Sequence, residues 1–145
     1  MKGSYVIMKK EIKTSTVYLI LALVSGVFYR EFTKWNGFTG TTALSKTHLH
    51  LFVLGTLLYL VLALFVLNTD LGQQKGYKRF QITYNIALPF MVVMFYVRGI
   101  IQVLAVELSR GMDAAISGIS GVAHILVAVS YFFLFRALLK TSAKK

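Results

Sequence analysis

Four long apolar stretches, each about the length of a bilayer crossing, constrain this chain more than any other feature. A membrane helix needs about 20 mainly apolar residues. Such runs occupy about residues 16–32, 45–68, 80–106 and 114–139. The second is the purest: between residues 49 and 67 only His50, Gly55, Thr56 and Tyr59 interrupt it. Thr41, Thr42 and Ser45 stand before it as candidate N-caps, since their hydroxyls can accept from free first-turn amides. The third run holds the only proline, Pro89. Pro89 cannot donate to the Asn85 carbonyl, so a kink is expected there. The fourth begins with small residues (Ala114, Ala115, Ser117, Gly118, Ser120, Gly121, Ala123) and ends bulky. No repeat or second domain is visible. The expected architecture is therefore an all-α integral membrane protein, residues 1–145 forming one four-helix bundle with short up-down-up-down connections.

Composition agrees with a bilayer as the solvent. Hydrophobic residues make up 57% and charged residues 14%, against about 25% charged in soluble domains. The net charge of +11 would suit nucleic acid only if the cations shared one face. Instead they cluster between the runs. Lys2, Lys9, Lys10, Lys13, Lys75, Lys78, Arg79, Arg136, Lys140, Lys144 and Lys145 fall on one side of such a bundle, and Arg30, Lys34, Lys46 and Arg110 on the other. The positive-inside rule then places both termini in the cytoplasm. Nucleic acid is not an expected partner; the lipid bilayer is. The basic segment ahead of the first run has no small-residue cleavage site behind it, because Tyr29-Arg30-Glu31-Phe32 follows. An uncleaved signal-anchor is expected. The absence of cysteine excludes disulfides, thiolate metal sites and covalent c-type haem attachment.

The informative residues are the polar ones inside the spans, where a polar side chain needs a partner or a task. All three histidines, His48, His50 and His124, fall in or at the edge of spans, and Arg98 lies within the third. With 1.5 Å of rise per residue, His50, His124 and Arg98 come roughly 12, 15 and 13 Å below the outer surface. Two imidazoles and a guanidinium thus share one level. Histidines on facing helices can supply both axial ligands of a b-type haem, and a cation such as Arg98 can meet its propionates. Ser117, Gly121 and His124 follow at helical spacing on one face, leaving room either for a flat macrocycle or for close helix packing. His48 and His50 stand about 200° apart around a helix and cannot chelate one metal together. Gly55 and Tyr59 share the face of His48, and Gly55 offers room there.

The segment His48-Leu49-His50-Leu51-Phe52-Val53-Leu54-Gly55 reads His-x-His-x-x-x-x-Gly. It resembles the helix of haem–copper oxidase catalytic subunits in which two histidines ligate haems on opposite faces. By that resemblance His50 matches the low-spin haem ligand and His48 the high-spin one. Most of the chain is also similar to a family of small bacterial four-span membrane proteins of unassigned function. Their pattern appears here as the same motif, Arg98-Gly99, and Gly121-Val122-Ala123-His124. The chain lacks the twelve spans, the further copper-site histidines and the cross-linking tyrosine of the oxidases, so the resemblance does not extend to oxygen reduction.

These readings set the expectations. The first is a haem-b-binding, cytochrome-like protein of the bacterial cytoplasmic membrane, for electron transfer or for binding oxygen or nitric oxide. Its metal ligands are His124 and, by the resemblance, His50, with His48 at a second site or subunit contact; the alternative is His48 as the ligand, because Gly55 gives room on its face whereas Val53, Leu54 and Leu57 crowd that of His50. Arg98, Gly55, Tyr59, Ser117 and Gly121 line the cofactor. The second is copper or zinc held directly by the three histidines; the third is a cofactor-free scaffold subunit. An unidentified redox partner and a homo-oligomer, a dimer by preference, go with the first, because four helices wrap a haem thinly. The bland alternatives are interfacial histidines, an Arg98 paired with Glu107 or reaching to headgroups, and solvated loop carboxylates at Glu107 and Asp113. No nucleophile–base pair, phosphate loop or paired carboxylate occurs, so no catalytic residue is proposed.

Overall fold

A computed structural model describes residues 2–143. Lys144 and Lys145 of the basic tail lie outside the described residues, as does the Lys2 side chain. The chain forms four helices: α1 (Lys2–Trp35), α2 (Leu44–Asn68), α3 (Lys75–Val103) and α4 (Arg110–Leu138). All four are long and apolar enough to cross a membrane, with mean hydropathies of 1.5, 2.5, 1.9 and 1.9 over their best windows. The protein is a multi-pass, all-α membrane protein.

Helix boundaries depart from the apolar runs where local chemistry says they should. α1 starts well before residue 16, because the segment ahead of it has no proline and is made of residues that tolerate a helix. Lys9, Lys10 and Lys13 are exposed, whereas Glu11 is buried. α3 ends at Val103 rather than near 106. Ala105 there adopts φ +50°, a left-handed conformation that a helix of L-residues cannot continue. α4 begins at Arg110, where Ser109 caps it by accepting from the Met112 amide at 3.3 Å. Thr42 does the expected work ahead of α2, accepting from the Leu44 amide at 3.3 Å. Helix α3 remains helical through Pro89.

Within α2, residues Leu51–Leu57 form a π-helical segment. Two of its carbonyls are held by hydroxyls from neighbouring helices: Leu54 by Tyr84 at 2.8 Å and Thr56 by Ser15 at 2.9 Å. Such segments free carbonyls from the regular ladder and are frequent at functional sites.

α1 packs along α2, and α4 packs along α3. The two pairs join where the start of α2 crosses the end of α3. Gly99 is the contact point. A Cβ there would lie 2.5 Å from the Leu44 nitrogen, and the Thr42 hydroxyl donates to the Gly99 carbonyl at 3.0 Å. Polar ties add to this: Gln81 donates to Glu11 at 3.0 Å, and the Tyr96 hydroxyl to Ser25 at 2.7 Å. The core is aromatic, with Tyr59, Tyr77, Phe80 and Tyr84 fully buried. In a bilayer these rings hold the helices by packing and hydrogen bonds rather than by leaving water. Apolar side chains such as Leu23, Val27, Ile86, Ile125 and Phe132 face outward, as lipid contact requires.

The Asp70 amide donates to the Ser142 carbonyl at 3.1 Å, and the Ser142 amide to the Asp70 carboxylate at 2.9 Å. The C-terminal residues therefore sit at the α2–α3 turn. Gly72 in that turn lies against Ile7 of α1. Both chain ends thus share one end of the bundle.

Candidate functional site

His50 is the last residue of α2 before the π-helical segment. Its Nδ1 lies 2.8 Å from the Lys46 carbonyl, one turn back. A carbonyl only accepts, so Nδ1 carries the proton and Nε2 keeps its lone pair. His124 on α4 repeats the arrangement, with Nδ1 2.8 Å from the Ser120 carbonyl. Tying one ring nitrogen to a carbonyl is how proteins fix the tautomer and orientation of a metal-ligating histidine.

One phenyl ring joins the two. Phe95 of α3 meets the His50 ring edge-on at 4.7 Å between centroids and the His124 ring at 5.7 Å. The two histidines, 74 residues apart in the chain, therefore share a neighbour on the helix between them. Arg98 lies one turn further along α3. Its guanidinium donates to the Asp113 carboxylate and to the Ser117 hydroxyl, both at 2.5 Å. Beside it a cleft of about 530 Å³ opens toward Gln102, Val106 and Arg110. On α4, Asp113, Ser117 and Gly121 continue in one line toward His124. A Cβ on Gly121 would meet nothing within 4 Å. That side of α4 is open.

The rest of the expected set lies elsewhere. His48 faces α1, its Cβ 3.8 Å from where a Gly26 side chain would begin, and its buried Nδ1 has no hydrogen-bond partner. The room expected at Gly55 is taken: a Cβ there would lie 2.5 Å from the Tyr18 ring. Tyr59 is fully buried and stacks on Tyr18 at 5.8 Å. Gly55 and Tyr59 do share the face of His48, but they serve the α1–α2 contact. Their expected place in a cofactor wall is corrected to helix packing, because the aromatic side chain from α1 fills the space. His50, His124, Arg98, Ser117 and Gly121 remain together on the opposite side of α2.

Two further corrections concern charge. Arg98 pairs with Asp113, not with Glu107, and Asp113 is therefore not a free loop carboxylate. Both follow from α4 starting at Arg110, which brings Asp113 onto the first turn of the helix facing α3. Phe95 was missed by sequence reasoning. Its only signal is its position three residues before Arg98, one turn away on the same side of α3.

A family model described as "Protein of unknown function (DUF2871)" matches residues 8–141, and the chain belongs to that family. No curated protein and no solved structure matches the chain.

Proposed function

We propose that this member of the DUF2871 family is a haem-b-binding membrane cytochrome, with His50 and His124 as the residues that hold the iron. One observation carries the reading. Each imidazole is fixed through Nδ1 by a backbone carbonyl, which leaves Nε2 as a lone-pair donor, and both rings touch Phe95. The donor chemistry fits a b-type haem, which needs two neutral imidazoles and no cysteine. Arg98 fits the propionates. Asp113 and Ser117 hold it with three of its five N–H donors, one of them a long bond of 3.5 Å to the Asp113 carbonyl, and the other two remain for an anion. Gly121 keeps the neighbouring wall of α4 low.

A bound haem, held by His50 and His124, would supply reversible one-electron chemistry, or would bind a small gas if one histidine let go. The chain's own part is to set the tautomers, to place the two rings against the same phenyl ring of α3 and to offer a cation one turn away. The motif resemblance to haem–copper oxidases belongs to this proposal, as do a bacterial cytoplasmic membrane location, an N-in/C-in orientation and a homo-oligomer that covers the open side of α4.

Direct copper or zinc binding is less well supported. Among the described residues no group of three His, Cys, Asp or Glu side chains could hold a metal ion, because His48 faces α1 while His50 faces α3. The test is an absorption spectrum of the purified protein, oxidised and dithionite-reduced. A Soret band that sharpens with reduced α and β bands is the expected result. A colourless protein that takes up no added haem would refute the proposal and favour the scaffold reading.

A further inference from the structure

A second site lies at the other end of the α3–α4 pair, on the end of the bundle that carries both termini. A cleft of about 430 Å³ is lined by Lys75 and Arg79 from the first turns of α3, by Arg136 from the last turn of α4 and by Lys140 just beyond it. No acidic side chain lines it. Gathering four cations in one concave site raises mutual repulsion, which low-dielectric walls strengthen. None of the four has an ion-pair partner among the described residues. The nearby carboxylate of Asp70 does not line the cleft and accepts from Gln74 and the Ser142 amide.

The packing holds this cleft in shape. Gly76 lets the two helices close beneath it, since a Cβ there would come within 3.2 Å of Ala137 and of the Phe133 carbonyl. Arg136 is steadied by its guanidinium lying 5.7 Å from the Phe132 ring centre. Gln74 precedes α3 without a side-chain cap, so the first amides of that helix add their positive dipole end to the same side. The inner wall is apolar, formed by Phe133 and Ala137.

We propose that this basic cleft binds a phosphate group, that of an anionic phospholipid headgroup in preference to free phosphate. Four cations match a phosphodiester that forms several charge-assisted hydrogen bonds. The position at the ends of two membrane-length helices, above an apolar wall, suits a molecule whose remainder is acyl chain. Basic pockets between transmembrane helices commonly take anionic headgroups. The proposal is independent of the haem reading, because the cleft shares no residue with the histidine site.

The test uses the full chain in neutral detergent and follows the thermal unfolding midpoint. Phosphatidylglycerol, phosphatidylcholine and inorganic phosphate are titrated separately. Phosphatidylglycerol is expected to raise the midpoint saturably, and phosphatidylcholine to leave it unchanged. Stabilisation by inorganic phosphate at equal molarity would keep the phosphate site but assign it to a soluble ligand. Each Lys or Arg beside an anionic surface contributes about fivefold in affinity. Arg79→Gln with Arg136→Gln should therefore weaken the phosphatidylglycerol effect roughly 25-fold. Lys75→Gln with Lys140→Gln should do the same, using exposed side chains whose loss does not disturb packing. The triple change Lys9→Gln, Lys10→Gln and Lys13→Gln removes exposed charge from α1 near the same end and should leave the effect intact. If the triple variant loses as much as the cleft variants, or if no anion changes the midpoint, the proposal is overturned.

Discussion

Gly99→Ala is the sharpest test of how the two helix pairs are joined. The added Cβ would lie 2.5 Å from the Leu44 nitrogen, 2.6 Å from Leu44 Cγ and 3.0 Å from the Thr42 hydroxyl oxygen. The first of these is backbone, so rotation of a side chain cannot relieve it; the start of α2 has to move. Overpacking of this kind costs about 1–3 kcal/mol. Movement also strains the bond from the Thr42 hydroxyl to the Gly99 carbonyl, a loss of about 1 kcal/mol. Against this, alanine favours a helix over glycine by about 1 kcal/mol. The net expectation is a loss of about 2 kcal/mol. For a chain of this size that lowers the unfolding midpoint by roughly 4–8 °C. Gly118→Ala is the control, because a Cβ there meets nothing within 4 Å; only the propensity gain of up to about 1 kcal/mol remains. The assay is thermal unfolding of both variants in one detergent, followed by circular dichroism. Equal midpoints, or a Gly99→Ala variant more stable than the parent, would refute the close approach. Because His50 stands six residues beyond Leu44 on the same helix, Gly99→Ala should also perturb the haem spectrum, which Gly118→Ala should not.

Other expectations follow from the site. His50→Ala and His124→Ala should each abolish a six-coordinate haem spectrum, whereas His48→Ala, whose ring faces α1, should retain it; the reverse pattern would move the site to the other face of α2. Asp113→Asn should lower haem occupancy by loosening Arg98. Its effect on stability should stay below about 1 kcal/mol, because Asp113 is more than half exposed and exposed pairs contribute little; a large loss of stability with unchanged haem would make the pair structural. Reporter fusions after the last residue should score cytoplasmic and fusions near Asn36 external, and the opposite result would overturn the orientation drawn from the basic residues.

The four apolar spans were legible in the sequence, and helical rise is what grouped His50, His124 and Arg98 as candidates. Apolar run length and helical rise are local quantities, counted along the chain without knowing what packs on what. The 200° separation of His48 from His50 was also legible, since helix geometry fixes it. What each face meets was not. Gly55 reads as space in a sequence, and only the structure shows that the Tyr18 ring from α1 fills it. Arg98 reads as a cation for propionates, Glu107 or headgroups until α4 begins at Arg110 and carries Asp113 and Ser117 to it. Phe95 is one apolar residue among many in its span. Its contact with both imidazoles depends on the rotation of three helices about their axes. A sequence encodes which side of a helix is polar or small. Which neighbour that side faces is decided by long-range packing, because interhelical contacts such as Thr42–Gly99 join residues 57 positions apart that no local pattern couples.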